Sequence, residues 1–372
     1  MQVYLISDDP LLSHQTSELL QSMGFETPPD SILSWNQAAE VVHLEGIFLF
    51  VLGSNPQRTL TQLSSIFSKF PSSEPPGQRV AIGPHDADII LKALTHVNEY
   101  VPDIELEKRL RGAIERLLLQ DQERQAQGKI VSILGPSGGS GASNIAANLA
   151  TACCNQTRTL LIDMDLQFGS LDALLDLEVK RSLTDLCELS SDFDYEMLQQ
   201  IFCRTAQGLS VLASPRCIRR SQIIGKTVMD RLIALSREHF NLTVLDVDRA
   251  FRESHLTSLL QSDLILIILR LDFTSLRNVR QMLMHLEGLG VVREQIELVV
   301  NRGGQAKEMR VNQAEIALGR RIFHILPEDT KHVLRSVGLG VPVLVQAPRS
   351  KIAQSMIGFA EKVSARCALQ LV

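Results

Sequence analysis

The residues best equipped for chemistry sit in one stretch, Ile133-Leu134-Gly135-Pro136-Ser137-Gly138-Gly139-Ser140-Gly141-Ala142-Ser143-Asn144. An apolar run enters a Gly-rich turn, and a helical pattern carrying Ile145, Leu149 and Cys153 leaves it. Glycines let a backbone curl until its N–H groups converge on an anion, and a helix N-terminus adds partial positive charge. This is the setting of a phosphate-binding loop, with Ser143 where a hydroxyl would bind Mg²⁺. Its departures from G-x-x-x-x-G-K-[ST] are as informative. Pro136 replaces the first glycine and Ala142 replaces the lysine, whose charge would reach the β- and γ-phosphates. A Gly-rich strand-to-helix turn without a ligand is the competing reading of the loop by itself.

Three downstream features bear on that choice. Leu160-Leu161-Ile162-Asp163-Met164-Asp165 ends an apolar run in two carboxylates two residues apart. At a strand end they point to one side, where one could hold metal-bound water and the other orient an attacking water. Aspartates capping a solvated turn are the alternative. Leu242-Thr243-Val244-Leu245-Asp246 brings another carboxylate to a strand end, as a residue of the Mg²⁺ shell would require. Leu298-Val299-Val300-Asn301-Arg302 places an amide there, suited to an adenine edge or to bonding its own turn backbone.

These groups need a sheet to hold them. Strands are expected at Ile130–Leu134, Thr159–Asp163, Leu242–Asp246, Leu264–Leu269, Glu297–Asn301 and Ile322–Leu326, with helical patterns between most of them. Continuous apolar runs predict a mostly parallel sheet covered by helices on both faces. The N-terminal part repeats the pattern on a smaller scale: strands at Val3–Ile6, Gly46–Leu52 and Arg79–Ile82, and helices near Leu12–Leu20, Asp88–Val97 and Ile104–Leu119. Residues 120–128 have no apolar periodicity and read as a helix end running into a linker. The expected organisation is α/β throughout, with domains at 1–120 and 129–372 joined by 121–128.

The 372 residues carry 37 Lys plus Arg against 42 Asp plus Glu, a net charge of -5. That balance excludes a strongly basic nucleic-acid coat and an acidic disordered tail. One tryptophan among 5% aromatics does not furnish a stacking platform for single strands. No window reaches the ~18 apolar residues of a membrane span, and Met1-Gln2-Val3-Tyr4 does not open a signal peptide. Cys153, Cys154, Cys187, Cys203, Cys217 and Cys367 include no Cys-x-x-Cys pair, and read as free thiols of a cytoplasmic protein. Arg216, Arg219, Arg220, Lys226 and Arg231 read as a solvated basic face, so DNA is not an expected partner. Ile352, Met356, Phe359 and Val363 fall at helical spacing and read as the core face of a final helix rather than a membrane-lying one.

The loop resembles that of the MinD/ParA superfamily of deviant-Walker ATPases, K-G-G-x-G-K-[ST]. Its signature lysine falls at Ser137 and its Walker lysine at Ala142. A narrower resemblance is to the TadZ/CpaE family of pilus-assembly proteins. Its G-G-x-G-A-[ST] is matched by Gly138 to Ser143, its D-x-D-x-Q-F-G by Asp163 to Gly169, and its S-L-R-N by Ser275 to Asn278. Its V-[LV]-N-R is matched by Val299 to Arg302, and its D-x-P-R by Asp246-Val247-Asp248-Arg249, with the proline replaced. Leu326-Pro327-Glu328-Asp329, Gly340-Val341-Pro342-Val343 and Ala347-Pro348-Arg349-Ser350-Lys351 look like its C-terminal pattern.

The resemblance implies an N-terminal receiver-like, flavodoxin-like domain before a MinD/ParA-like P-loop domain. Asp8 and Asp9 match a receiver's acidic pair. Gly53-Ser54 offers no phosphoacceptor Asp, Gly83 replaces the switch Ser or Thr, and Val101-Pro102 lacks the Lys. This implies a pseudo-receiver used for docking or dimerisation. ATP and Mg²⁺ are the implied ligands. Gly138, Gly139, Ser140, Gly141, Ala142, Ser143, Asn144, Asn301, Arg302 and Pro327 would surround the nucleotide. Ser143, Asp163 and Asp246 would serve the metal, and Asp165 would be the residual catalytic carboxylate.

Without the two lysines, hydrolysis is expected to be weak or absent, unless Arg216, Arg219, Arg220, Arg270 or Arg302 supplies the charge. The implied role is a dimeric factor that localises a Flp (tight-adherence, type IVb) pilus machine, at a cell pole or the inner face of the membrane. Its partners would be the secretion ATPase and membrane components. The rival readings are an active MinD/ParA-type ATPase positioning division, flagellar or DNA cargo, and a nucleotide-free scaffold.

Overall fold

Strands β1 (Val3–Ile6), β3 (Ile47–Val51) and β4 (Gln78–Gly83) are buried along their whole length, as apolar runs must be when helices cover both faces of a sheet. In the computed structural model, which describes residues 3–25, 27–28, 31–38, 46–67, 77–188, 193–215 and 224–369, the chain forms two compact units, Met1–Ala126 and Gln127–Val372.

In the first unit β2 (Ile32–Leu33) and β5 (Glu99–Pro102) complete a parallel sheet of order β2-β1-β3-β4-β5. This is the doubly wound order 2-1-3-4-5. Alternation along β1 and β3 divides the core: Tyr4, Ile6, Phe48 and Phe50 face one way, and Val3, Leu5, Ile47 and Leu49 the other. Asp9 caps the helix Pro10–Ser22 by accepting from the N–H groups of Leu11 and Leu12. Asp8 accepts from Trp35 N at 3.2 Å. A side chain on Gly53 would lie 3.5 Å from Asp9 Cβ, so the acidic pair does border the end of β3. At the end of β4, a side chain on Gly83 would meet the Tyr100 hydroxyl at 2.6 Å and Leu52 Cδ1 at 2.9 Å. That hydroxyl donates to Pro84 O at 2.9 Å.

Two expectations shift here. The helix expected to reach Val97 ends at Leu94, leaving room for β5. The helix from Leu106 continues to Ala126, through most of the expected linker 121–128. Its polar Gln, Glu and Arg residues lack apolar period but are good helix formers, with no Gly or Pro to stop them.

The second unit holds an eight-stranded sheet of order β13-β12-β11-β6-β10-β7-β9-β8. Its strands are β6 (Lys129–Leu134), β7 (Thr159–Met164), β8 (Cys203–Arg204), β9 (Ser210–Leu212), β10 (Leu242–Val247), β11 (Leu264–Leu269), β12 (Ile296–Gly303) and β13 (Ile322–Pro327). All neighbours are parallel except β8 and β9. One core layer joins Ile130, Ile162, Leu245 and Ile267 to helices Lys226–His239 and Phe273–Gly288. The other joins Val131, Leu161, Val244 and Leu266 to helices Ala142–Cys154 and Lys351–Arg366.

The final helix buries Ile352, Met356, Phe359 and Val363. Among the described residues no helix is long and apolar enough to cross a membrane. Lys226 pairs with Asp230, and Arg231 donates to Phe193 O. Arg216, Arg219 and Arg220 lie outside the described residues, as do Cys217 and the Cys187 side chain. Cys153, Cys154 and Cys367 are free thiols.

Candidate functional site

β6 lies between β10 and β11, with β7 beyond β10. The C-terminal ends of these parallel strands share one edge, where ligand crevices of such sheets form. The register sets Asp246 of β10 beside Asp163 of β7 on one flank and Ile133 of β6 on the other. The phosphate-loop residues and the candidate carboxylates are thereby brought together.

The loop from Gly135 to Gly141 is built on missing side chains. Gly139 and Gly141 hold φ of 75° and 90°, backbone that L-residues rarely adopt. A side chain on Gly141 would come within 2.4 Å of Asn301 Nδ2, and one on Gly135 within 1.9 Å of Ser140 Oγ. Helix Ala142–Cys154 starts with no side-chain cap, so its first N–H groups remain available to an anion. Ser143 and Asn144 stand in its first turn, half-buried.

Two amides outside the loop fix it. Asn301 Nδ2 donates to Ser140 O at 2.7 Å, while its Oδ1 accepts from Arg302 N at 2.9 Å. The pairing of β12 with β13 breaks register between Val300 and Gly303. A bulge of this kind re-aims a side chain, and here Asn301 turns to the loop while Arg302 takes φ 58°. Asn301 thus bonds its own turn through Oδ1 and the carbonyl of Ser140 in the loop through Nδ2. Asn278 Nδ2 donates to Pro136 O at 3.3 Å. Pro327 pairs with Gly303 at the end of β13, beyond the bulge.

The carboxylates carry the electrostatics. Asp163 accepts from Asp165 N at 3.1 Å and from Leu171 N at 3.2 Å. Burial, then the neighbouring charge of Asp246, holds its pKa well above the ordinary value. Burial pushes Asp246 up to about 7, against the pull of the Ser143 hydroxyl and with the charges of Asp165 and Asp248 adding. Asp246 Oδ2 is buried without a hydrogen-bond partner. Asp165 accepts from Phe168 N at 3.0 Å, so it also shapes its own turn. Asp248 faces a fully buried His255, Oδ1 to Nδ1 2.9 Å, and the same ring reaches Met164 O at 3.0 Å through Nε2. Burial alone would raise Asp248, but His255, the Ala250 N–H and Arg252 hold it below its ordinary value.

A divalent cation fits this set. Two adjacent buried carboxyls with raised pKa values and one orphaned oxygen beside a serine call for positive charge. Among the described residues no group of three or more His, Cys, Asp or Glu forms a metal cage. Mg²⁺ beside phosphates normally takes one or two protein ligands and completes its shell with phosphate and water, so Ser143 and Asp246 suffice for its protein share.

No Lys or Arg occurs from Gly135 to Asn148. Of the arginines considered from sequence, Arg270 is taken by Gln305 at 3.3 Å and Asp272 at 3.7 Å, beside a cavity of about 490 Å³. Arg302 is exposed. Sequence reasoning passed over three residues that touch the site: Asn278, His255 and Arg249. Asn278 and Arg249 stood inside quoted motifs without a role, and His255 carries no sequence signal at all.

The CobQ/CobB/MinD/ParA nucleotide binding domain matches residues 131–339, more than half of the chain. The chain belongs to the CobQ/CobB/MinD/ParA family. A curated relative of this family member, an uncharacterised ATP-binding protein of Methanocaldococcus jannaschii, is 21% identical over 236 residues, 63% of this chain and 86% of that protein. The antiactivator FleN of Pseudomonas aeruginosa is 38% identical over 61 residues, 16% of this chain and 22% of FleN. Among solved structures, a ParA family ATPase from Chlorobium tepidum matches with a TM-score of 0.60 and 24% identity, over 63% of this chain and 98% of that one. The septum site-determining protein MinD from Pyrococcus horikoshii, solved with Mg-ADP, matches with a TM-score of 0.56 and 21% identity, over 63% and 96%. At these identities the structural likeness shows the MinD/ParA-like fold.

Proposed function

We propose that this chain is a nucleotide-binding localisation and assembly factor of the TadZ/CpaE kind, serving a Flp (tight-adherence, type IVb) pilus secretion machine as a homodimer that hydrolyses ATP weakly or not at all. The observation that carries the reading is a cradle retained without its cations. The Gly135–Gly141 loop, the uncapped helix start and the orphaned Asp246 oxygen suit ATP-Mg²⁺. Ser137 and Ala142 stand where charge would stabilise phosphoryl transfer. The pilus role rests on the ordered run of family-like motifs between residues 130 and 351. In this reading Gly138, Gly139, Ser140, Gly141, Ser143 and Asn144 line the phosphates, and Ser143 and Asp246 hold Mg²⁺ with Asp163 behind them.

The first unit supports the same assignment. Its 2-1-3-4-5 order is that of flavodoxin-like domains, and Asp8 and Asp9 cap backbone beside the end of β3, which runs into Gly53-Ser54 rather than an acceptor Asp. It acts as a pseudo-receiver that docks rather than switches. The partners are the secretion ATPase and membrane components of the pilus machine, met in the cytoplasm at a pole or at the inner membrane face.

The test pairs calorimetry of ATP-Mg²⁺ binding with phosphate release, and follows pilus assembly and a fluorescent fusion in cells lacking the gene. Binding without appreciable release, together with lost pili, supports the proposal. The second reading, an active ATPase positioning cellular cargo, draws on the likeness to MinD, ParA and FleN. Ordinary turnover that disappears in Asp165→Ala selects it. No binding at millimolar nucleotide would leave a scaffold.

A further inference from the structure

We propose that Arg249 supplies in cis the phosphate-binding cation that the loop lacks; the inference rests on the nucleotide-binding reading above. A side chain on Gly138 would lie 3.7 Å from Arg249 Nη2. The guanidinium of the exposed Arg249 thus stands at ordinary contact distance from where a Gly138 Cβ would be, at the exposed rim of the loop. Gly138 and Gly139 are both exposed there.

The segment that presents Arg249 is anchored on either side. Asp248 Oδ1 accepts from Ala250 N at 2.7 Å and faces the buried His255 ring. That ring also holds the end of β7 through Met164 O. Arg249 therefore projects from a fixed turn three residues after Asp246, the carboxylate proposed for Mg²⁺. Arg249 itself bonds to no described residue, whereas Arg270 is engaged by Asp272 and Gln305. A guanidinium presents a planar fork to two phosphate oxygens at once. With nucleotide bound, it would offer from the rim of the loop the charge that a loop lysine would supply. Near Asp163, Asp165 and Asp246, a polyanionic ligand needs such a charge beyond the metal's own.

The experiment measures affinity of the full chain for ATP-Mg²⁺, ADP-Mg²⁺ and adenosine by calorimetry, with circular-dichroism melts of the nucleotide-free proteins as a folding check. Arg249→Ala is expected to weaken ATP and ADP binding about tenfold or more, leave adenosine unchanged and leave the melt unchanged. Arg249→Lys should recover part of the loss, and Ala142→Lys placed in the Arg249→Ala background most of it. Equal ATP affinity in wild type and Arg249→Ala overturns the role of Arg249 while nucleotide binding stands. A loss that extends equally to adenosine, unrelieved by either lysine, overturns it as a distortion of the turn. No binding by the wild type removes the nucleotide reading and this inference together.

Discussion

Asp246 and Asp163 are neighbours only because two parallel strands bring them into register. Sequence reasoning identifies each as the carboxylate ending an apolar run, since both lie where a pattern breaks. It cannot see their mutual burial, which decides their chemistry. The folded protein holds a proton on Asp246 up to about pH 7, whereas an unfolded Asp releases it near ~3.9. With Asp246 as the group considered, the native state binds more protons between those limits, so stability falls as pH rises from about 4 to about 7. In EDTA, Asp246→Asn is therefore expected to match wild type below about pH 4. It should exceed it by on the order of a few kcal/mol at pH 8, read from urea denaturation at each pH. Parallel stability curves for the two proteins would exclude this account. Asn301 shows the opposite limit of sequence reading. Its position at a strand end is plain, but the bulge that aims it at Ser140 leaves no trace in residue types.

At the scale of elements, the expected strands of the second unit all form, because each is a continuous apolar run between turn residues. The missed strands are β2, β5, β8 and β9, of two to four residues each. Such short segments owe their extended form to a neighbour's edge rather than to any pattern of their own. The final helix is the clearest case of pattern becoming packing. Phe359 is fully buried, edge-on to Phe323 at 6.3 Å and tilted against His324 at 5.3 Å. Phe359→Ala is expected to cost about 3–5 kcal/mol, measured as a lowered urea midpoint with an unchanged slope. A loss below about 1 kcal/mol would mean that the helix does not pack on this core in solution.

Across the molecule, each unit closes its own pair of core layers, and each sheet presents strand ends with acidic residues. The two differ in what those residues lack. In the first unit Asp8 and Asp9 are present without an acceptor carboxylate at Gly53 or Ser54. Incubation with acetyl phosphate and Mg²⁺ is accordingly expected to add no phosphoryl group to residues 1–126. Intact-mass spectrometry reads this directly, and a stoichiometric gain of one phosphoryl in that unit would refute it. The second unit keeps a Gly-rich loop but has Pro136, Ser137 and Ala142 where the first glycine and the two lysines would stand.

The packing at Gly83 makes what that position tolerates conditional on its neighbours. A Cβ there would come within 2.6 Å of the Tyr100 hydroxyl and 2.9 Å of Leu52 Cδ1, and the Tyr100 hydroxyl is engaged by Pro84 O. A Ser or Thr is therefore accommodated only if Tyr100 and Leu52 shift or are themselves substituted. The effect of a change at position 83 thus depends on which residues stand at 52 and 100, an epistasis written into the packing.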